Sequence, residues 1–211
     1  MGIAAASLGL TVTIVGLDVA VSRSIYHPLT YVYSFLSWLG CQNSLAPSCS
    51  RTNISDSFYC NSGKNGVVVT TQHEASRIGL QILQQGGNAV DAAVAVGYAL
   101  AVTDPCCGNI GGGGFMLIRF ANGKSTFINF RERAPLAANK NLYLDRQGQV
   151  VSGLSQQGYL AVAVPGTVKG LEQALSQYGT MSRTVVMTGA IQLAEKGFIL
   201  QPGMSRFSMP V

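Results

Sequence analysis

The stretch that decides the fold runs Gly86-Gly87-Asn88-Ala89-Val90-Asp91-Ala92-Ala93-Val94-Ala95-Val96-Gly97-Tyr98-Ala99-Leu100-Ala101-Val102. Gly86-Gly87 closes whatever precedes it, because glycine reaches the left-handed backbone region that ends helices. Asn88 then offers a side-chain oxygen to the orphan amides of a new helix, and Asp91, three residues on, suits its positive end. Beyond Asp91 the segment carries no charge and is apolar on every face. A helix of that composition in a folded domain is covered on all sides, and its small alanines allow close packing.

Working outward, Thr103-Asp104-Pro105 stops the helix, and Gly108-Asn109-Ile110-Gly111-Gly112-Gly113-Gly114 opens into the apolar run Phe115-Met116-Leu117-Ile118-Arg119-Phe120. A phosphate-cradling loop needs glycines leading into a helix, with Lys and Ser or Thr following; here a strand follows and that pair is missing. The glycines therefore point to a backbone that passes very close to another segment or a ligand. Ala121-Asn122-Gly123 is a hairpin turn, and Lys124 to Arg131 is the return strand. Alternation along it places Phe127, Asn129 and Arg131 on one face and Ile128 and Phe130 on the other.

Four segments in this order, QQGGNAVDAAVA (84–95), GNIGGGGFMLIRF (108–120), INFRERAP (128–135) and VPGTVKGLE (164–172), resemble the N-terminal half of the gamma-glutamyltransferase family, whose members are also called glutathione hydrolases. The resemblance runs from about Gly66 to Gly203. It implies an α/β chain of the N-terminal-nucleophile hydrolase fold, a four-layer αββα sandwich that is incomplete in this chain. It also implies a precursor that cuts itself into a large and a small subunit, with a threonine nucleophile leading the small one. That threonine would lie beyond Val211, so no catalytic residue is expected among the 211, and the chain reads as the N-terminal part of the large subunit, inactive by itself. The expected substrates are glutathione and other γ-glutamyl compounds, the expected partner is the small subunit, and no cofactor or metal is implied. One pocket residue carries over from a matching motif: Arg131, which would grip the glutamyl α-carboxylate. A planar guanidinium meets a carboxylate with two parallel charge-assisted hydrogen bonds, which lysine does less well. Two other readings stay open, a truncated non-catalytic product and a sister amidase such as a cephalosporin acylase.

Composition bounds the rest. Charged residues are 11% of the chain, against about 25% in ordinary domains. The net charge is +5, but Lys and Arg are scattered singly, without a basic run or interleaved aromatics, which argues against nucleic acid as a partner. No His or second Cys pair sits at metal-ligand spacing.

Residues 1–40 read as an apolar leader, a signal or a membrane anchor. Ile3 to Leu17 has signal length but no basic residue before it, and Pro28 to Gly40 ends at Cys41 in the manner of a lipoprotein signal with Trp38 as a poor fit. Cleavage, lipidation at Cys41 and anchoring stay open, each placing the protein in the periplasm or outside the cell, and so does a misassigned start or a non-functional leader. Residues 41–65 read as a polar linker in which Cys49 and Cys60 could pair. Adjacent Cys106 and Cys107 read as small apolar residues beside the glycine loop, poorly placed to bond each other.

Residues 66–211 form the domain proper. Gly66 to Thr70 is a β-branched strand, and Thr71 with Glu74 spells a capping box for an amphipathic helix that buries Ala75, Ile78, Gly79, Ile82 and Leu83. His73, in its first turn, reads as structural. Leu136 to Ser155 is a surface excursion with a turn at Asp145–Gly148. Tyr159 to Val164 reads as a strand. A helix after Pro165-Gly166 turns Val168, Leu171, Leu175 and Tyr178 inward, and another from Ser182 to Lys196 buries Val185, Val186, Ala190, Leu193 and Ala194. Exposed apolar surface is expected where further strands would pack.

Overall fold

The computed structural model describes residues 9–15, 19–24, 30–32, 61–63, 65–104, 107–108 and 110–200. The readings of Cys41, of a Cys49–Cys60 pair, of Cys106 and of residues 201–211 lie outside the described residues.

Helix α2 (Ala89–Thr103) is the centre of the domain. The Asn88 side chain accepts from the amides of Val90 at 2.7 Å and Asp91 at 3.0 Å, and the Asp91 carboxylate accepts from the Asn88 amide at 2.8 Å. This reciprocal cap satisfies donors that every helix start leaves open. Val90, Val94, Val96 and Leu100 have no exposed surface. They are covered by α1 (His73–Gln84), α3 (Thr167–Tyr178), α4 (Arg183–Lys196) and the sheet. Each large apolar side chain sealed in this way contributes about 1.5–3 kcal/mol.

The main sheet has five antiparallel strands: β1 (Gly9–Val15), β2 (Val19–Ser24), β5 (Gly66–Val69), β6 (Phe115–Arg119) and β7 (Ser125–Asn129), in the order β5-β2-β1-β6-β7. A two-stranded sheet pairs β3 (Thr30–Val32) with β4 (Asn61–Gly63). Three parts of the run read as a leader are thus strands here, and β1 lies between β2 and β6 with Val12 opposite both Val21 and Ile118. Thr11-Val12-Thr13-Ile14-Val15 is an unbroken β-branched series, whose stiff χ1 angles favour extended chain over helix. The sheet draws on both sides of the boundary expected at residue 66.

The β6–β7 hairpin follows the expected alternation. Met116, Ile118, Ile128 and Phe130 are buried, whereas Leu117 and Phe127 on the other face are 41% and 59% exposed. Phe115 stacks on Phe127 with ring centroids 5.6 Å apart.

Four local expectations need correction. The capping box at Thr71 does not form: Gln72 holds the N-cap position of α1 without a side-chain bond, and Thr71 Oγ1 instead donates to Asp104 Oδ2 at 3.1 Å. Tyr159–Ala161 is a 3₁₀ turn, and the expected strand survives only as a single bridge between Val164 and Arg133. In α3 the buried face is Thr167, Gly170, Leu171, Ala174 and Leu175, with Val168 47% exposed; Gly170 packs on the Phe130 ring and sets that rotation. In α4, Val186, Ala190 and Leu193 are buried but Val185 and Ala194 are exposed, because only one narrow stripe of this helix faces α2.

Candidate functional site

Three segments distant in sequence converge at the end of β7. Phe130 donates its amide to the Gly114 carbonyl at 3.0 Å, which ties the strand end to the glycine loop. Gly112 turns its carbonyl the other way and accepts from the amides of Gly166 at 2.8 Å and Thr167 at 3.1 Å. Arg133 and Val164 then exchange both backbone bonds, at 3.1 Å and 2.8 Å. Segments 112–114, 130–133 and 164–167 therefore hold one another pairwise.

Glycine is required for that approach. A Cβ on Gly113 would lie 2.6 Å from the Glu132 nitrogen, 2.7 Å from the Phe130 oxygen and 2.9 Å from Arg131 Cα. A Cβ on Gly166 would overlap the Phe130 carbonyl oxygen. The glycines thus do what the sequence reading gave them to do, and the segment they approach is the peptide that carries Arg131.

Arg131 itself leaves the strand end on the exposed face. Its amide donates to Asn129 Oδ1 at 3.0 Å. Its side chain is 69% exposed, and its guanidinium meets only the Glu132 carboxylate, Nε to Oε2 at 3.9 Å, among the described residues. At 3.9 Å that contact is no hydrogen bond, so all five N–H donors of the planar fork are left for a ligand, and a carboxylate is the partner whose geometry fits them best. Beside this peptide, Thr167 is buried at the start of α3 and its hydroxyl has no hydrogen-bond partner among the described residues.

Other candidates do not join this site. His73 lies in the first turn of α1, next to Glu74 at 3.8 Å, where it lines an open cleft of about 460 Å³ with Val67, Val69, Ser76, Arg77 and Leu80. Glu74 holds Arg77 at 2.6 Å, so the arginine lining that cleft is already paired. Cys107 is disulfide-bonded rather than a free apolar thiol. Asn129, Gly166 and Thr167 are positions that sequence reasoning missed. Pro165-Gly166 shows in sequence only a helix lead-in, and nothing local reveals which backbone it will touch.

Residues 75–209 match the family model for gamma-glutamyltranspeptidase. The chain is 56% identical over 159 residues to the glutathione hydrolase proenzyme of Pseudomonas sp. (strain A14), covering 75% of this chain and 28% of that protein. It is 49% identical over 160 residues to the glutathione hydrolase proenzyme of Escherichia coli (strain K12), covering 76% and 28%. Among solved structures, Helicobacter pylori gamma-glutamyltranspeptidase superposes with a TM-score of 0.64 at 50% identity, over 66% of this chain and 40% of that one. The chain therefore spans 28% of the length of these two curated relatives. Its α/β architecture is that of the N-terminal-nucleophile hydrolases to which these structures belong.

Proposed function

The chain belongs to the gamma-glutamyltranspeptidase family, and from that premise we propose that it supplies the N-terminal part of an exported enzyme that moves the γ-glutamyl group of glutathione to water or to an amino acid. The single observation that carries this reading is Arg131, an exposed guanidinium on a peptide gripped by the glycine loop and the start of α3. In this reading Arg131 binds the glutamyl α-carboxylate and so fixes where the γ-amide lies.

The covalent steps fall to a threonine outside these 211 residues. Its hydroxyl attacks the γ-carbonyl while its own α-amine takes the proton. The C–N bond then breaks, the leaving amine collects that proton, and a γ-glutamyl ester of the threonine remains. Water or an amino acid's amine attacks the ester, and glutamate or a γ-glutamyl amino acid departs as the threonine hydroxyl is restored. Arg131 holds the same carboxylate through both halves.

The partner subunit from the same precursor has a surface to cover. Leu117 and Phe127, with Phe115 stacked beside them, form an apolar sheet face that the described helices leave exposed. A second sheet layer laid there would complete the αββα sandwich. Export, with or without membrane attachment, is supported by the apolar composition of residues 1–40, in a form that keeps residues 9–15 and 19–24 in the sheet. No helix among the described residues is long and apolar enough to cross a membrane.

The test uses the protein expressed from its complete reading frame, incubated with glutathione and with a chromogenic γ-glutamyl anilide. Release of glutamate and aniline is expected. Turnover confined to glutaryl cephalosporins would assign the sister amidase activity instead, and a folded, processed protein with no turnover of either would leave a binding role.

A further inference from the structure

Among the described residues the side chain of Arg131 has little to hold it, yet its peptide is approached closely by Gly113 and Gly166. Its guanidinium has one distant contact among the described residues, at 3.9 Å to Glu132. The guanidinium therefore turns about four side-chain bonds, and the backbone fixes the Cα and Cβ from which it reaches a ligand. That backbone is fixed by the Asn129 side chain through the Arg131 amide at 3.0 Å, by Gly113 against Arg131 Cα and the Glu132 nitrogen, and by Gly166 against the Phe130 carbonyl. We propose that Gly113, Gly166 and Asn129 are positioning residues that aim the Arg131 guanidinium, and that this aim sets how tightly a ligand's α-carboxylate is held. The inference rests on the proposed role of Arg131 and adds the parts through which that role is executed.

The physical reason is leverage. A side-chain carbon at position 113 must displace the 130–132 peptide, because the atoms it meets are all backbone and cannot rotate away. A displacement of the order of 1 Å at a group that orients substrate costs up to about a hundredfold in turnover efficiency. A carboxylate gripped alike in ground and transition states loses this as a raised KM with kcat little changed.

The experiment measures kcat and KM for γ-glutamyl anilide with the protein expressed from its complete reading frame. Gly113→Ala and Gly166→Ala should raise KM about tenfold or more, with kcat within about threefold of the parent. Asn129→Ala adds no bulk, so it keeps the test open if a glycine variant fails to fold; it should raise KM about threefold. Each change is repeated in an Arg131→Ala background, where its effect on kcat/KM should shrink to less than about twofold, since residues acting through one group are not additive. If Arg131→Ala is costly but the Gly113 and Asn129 changes leave KM unmoved, or keep their full effect in its absence, the positioning role falls alone. If Arg131→Ala is itself neutral, the carboxylate reading falls with it.

Discussion

Asp91, in the first turn of α2, takes both the amide and the hydroxyl of Thr180, which lies 89 residues later: Oδ1 accepts from the Thr180 nitrogen at 2.8 Å and Oδ2 from its Oγ1 at 2.7 Å. Oδ1 also accepts from the Met181 amide at 3.1 Å, and Oδ2 from the Asn88 amide at 2.8 Å. One fully buried carboxylate thus caps the central helix and fastens the loop between α3 and α4.

Removing Asp91 should accordingly be one of the most damaging single changes in the chain. Asp91→Ala leaves four partly buried donors, the amides of Asn88, Thr180 and Met181 and the Thr180 hydroxyl, without their charged acceptor, each costing about 1 kcal/mol, so a loss of about 3 kcal/mol or more is expected in urea unfolding. Thr180→Ala removes one of these bonds and should cost about 1 kcal/mol. Equal, small losses from both would show that water replaces these bonds without cost.

The first turn of α2 also shows how far the sequence could be read. Asn88 and Asp91 announced the helix start because a cap is a local device, complete within four residues. The link from Asp91 to Thr180 was invisible, since nothing near either residue names the other. The same division runs through the site. Strand alternation put Arg131 on one face with Phe127 and Asn129, a family motif singled it out, and four glycines in a row signalled a close approach. What they approach is a tertiary fact, as is the part played by Gly166. The strand expected at Tyr159–Val164 failed because β-propensity alone cannot supply the neighbour that a strand needs, and only Val164 finds one.

Tyr98 gives a pH-dependent expectation. Burial above all, and then the Glu172 carboxylate, push its phenol above the ordinary value of 10.0, while Arg183 pulls it back. The neutral form is thus favoured in the folded state. Its contribution is fully present below about pH 10 and is lost as pH rises through the raised folded value, because the unfolded chain releases that proton first. Tyr98→Phe should lose less stability than the parent between about pH 9.5 and 11. Parallel melting-temperature profiles for the two proteins over that range would contradict this.

Thr167 buries a hydroxyl with no partner among the described residues. Thr167→Val keeps the β-branched shape and removes the unpaired group, so it should stabilise the chain by about 1 kcal/mol, or roughly 2–4 °C in Tm. A lower Tm would show that the hydroxyl is engaged in solution.

Strands β1 and β2 both contact α2, and β1 pairs along the edge of β6. Deleting residues 1–24 from the 211-residue chain uncovers part of the central helix and strips β6 of one neighbour. Exposure of even three or four large side chains costs several kcal/mol, so Tm should fall by more than about 10 °C or the cooperative transition should vanish. An unchanged melt would mean that these strands add nothing to the fold.

The central claim is that Arg131 holds the α-carboxylate of a γ-glutamyl substrate, and kcat/KM of Arg131→Ala and Arg131→Lys with γ-glutamyl anilide tests it most directly, in the protein expressed from its complete reading frame. Losing a hydrogen-bonded charge partner costs about 2–5 kcal/mol, so Arg131→Ala should fall at least about thirtyfold. Arg131→Lys keeps the charge but not the fork and should fall less while remaining impaired. Self-cleavage involves no glutamyl ligand and should proceed in both, showing that they fold. An Arg131→Ala protein that processes normally and turns over substrate within about threefold of the parent would contradict the account.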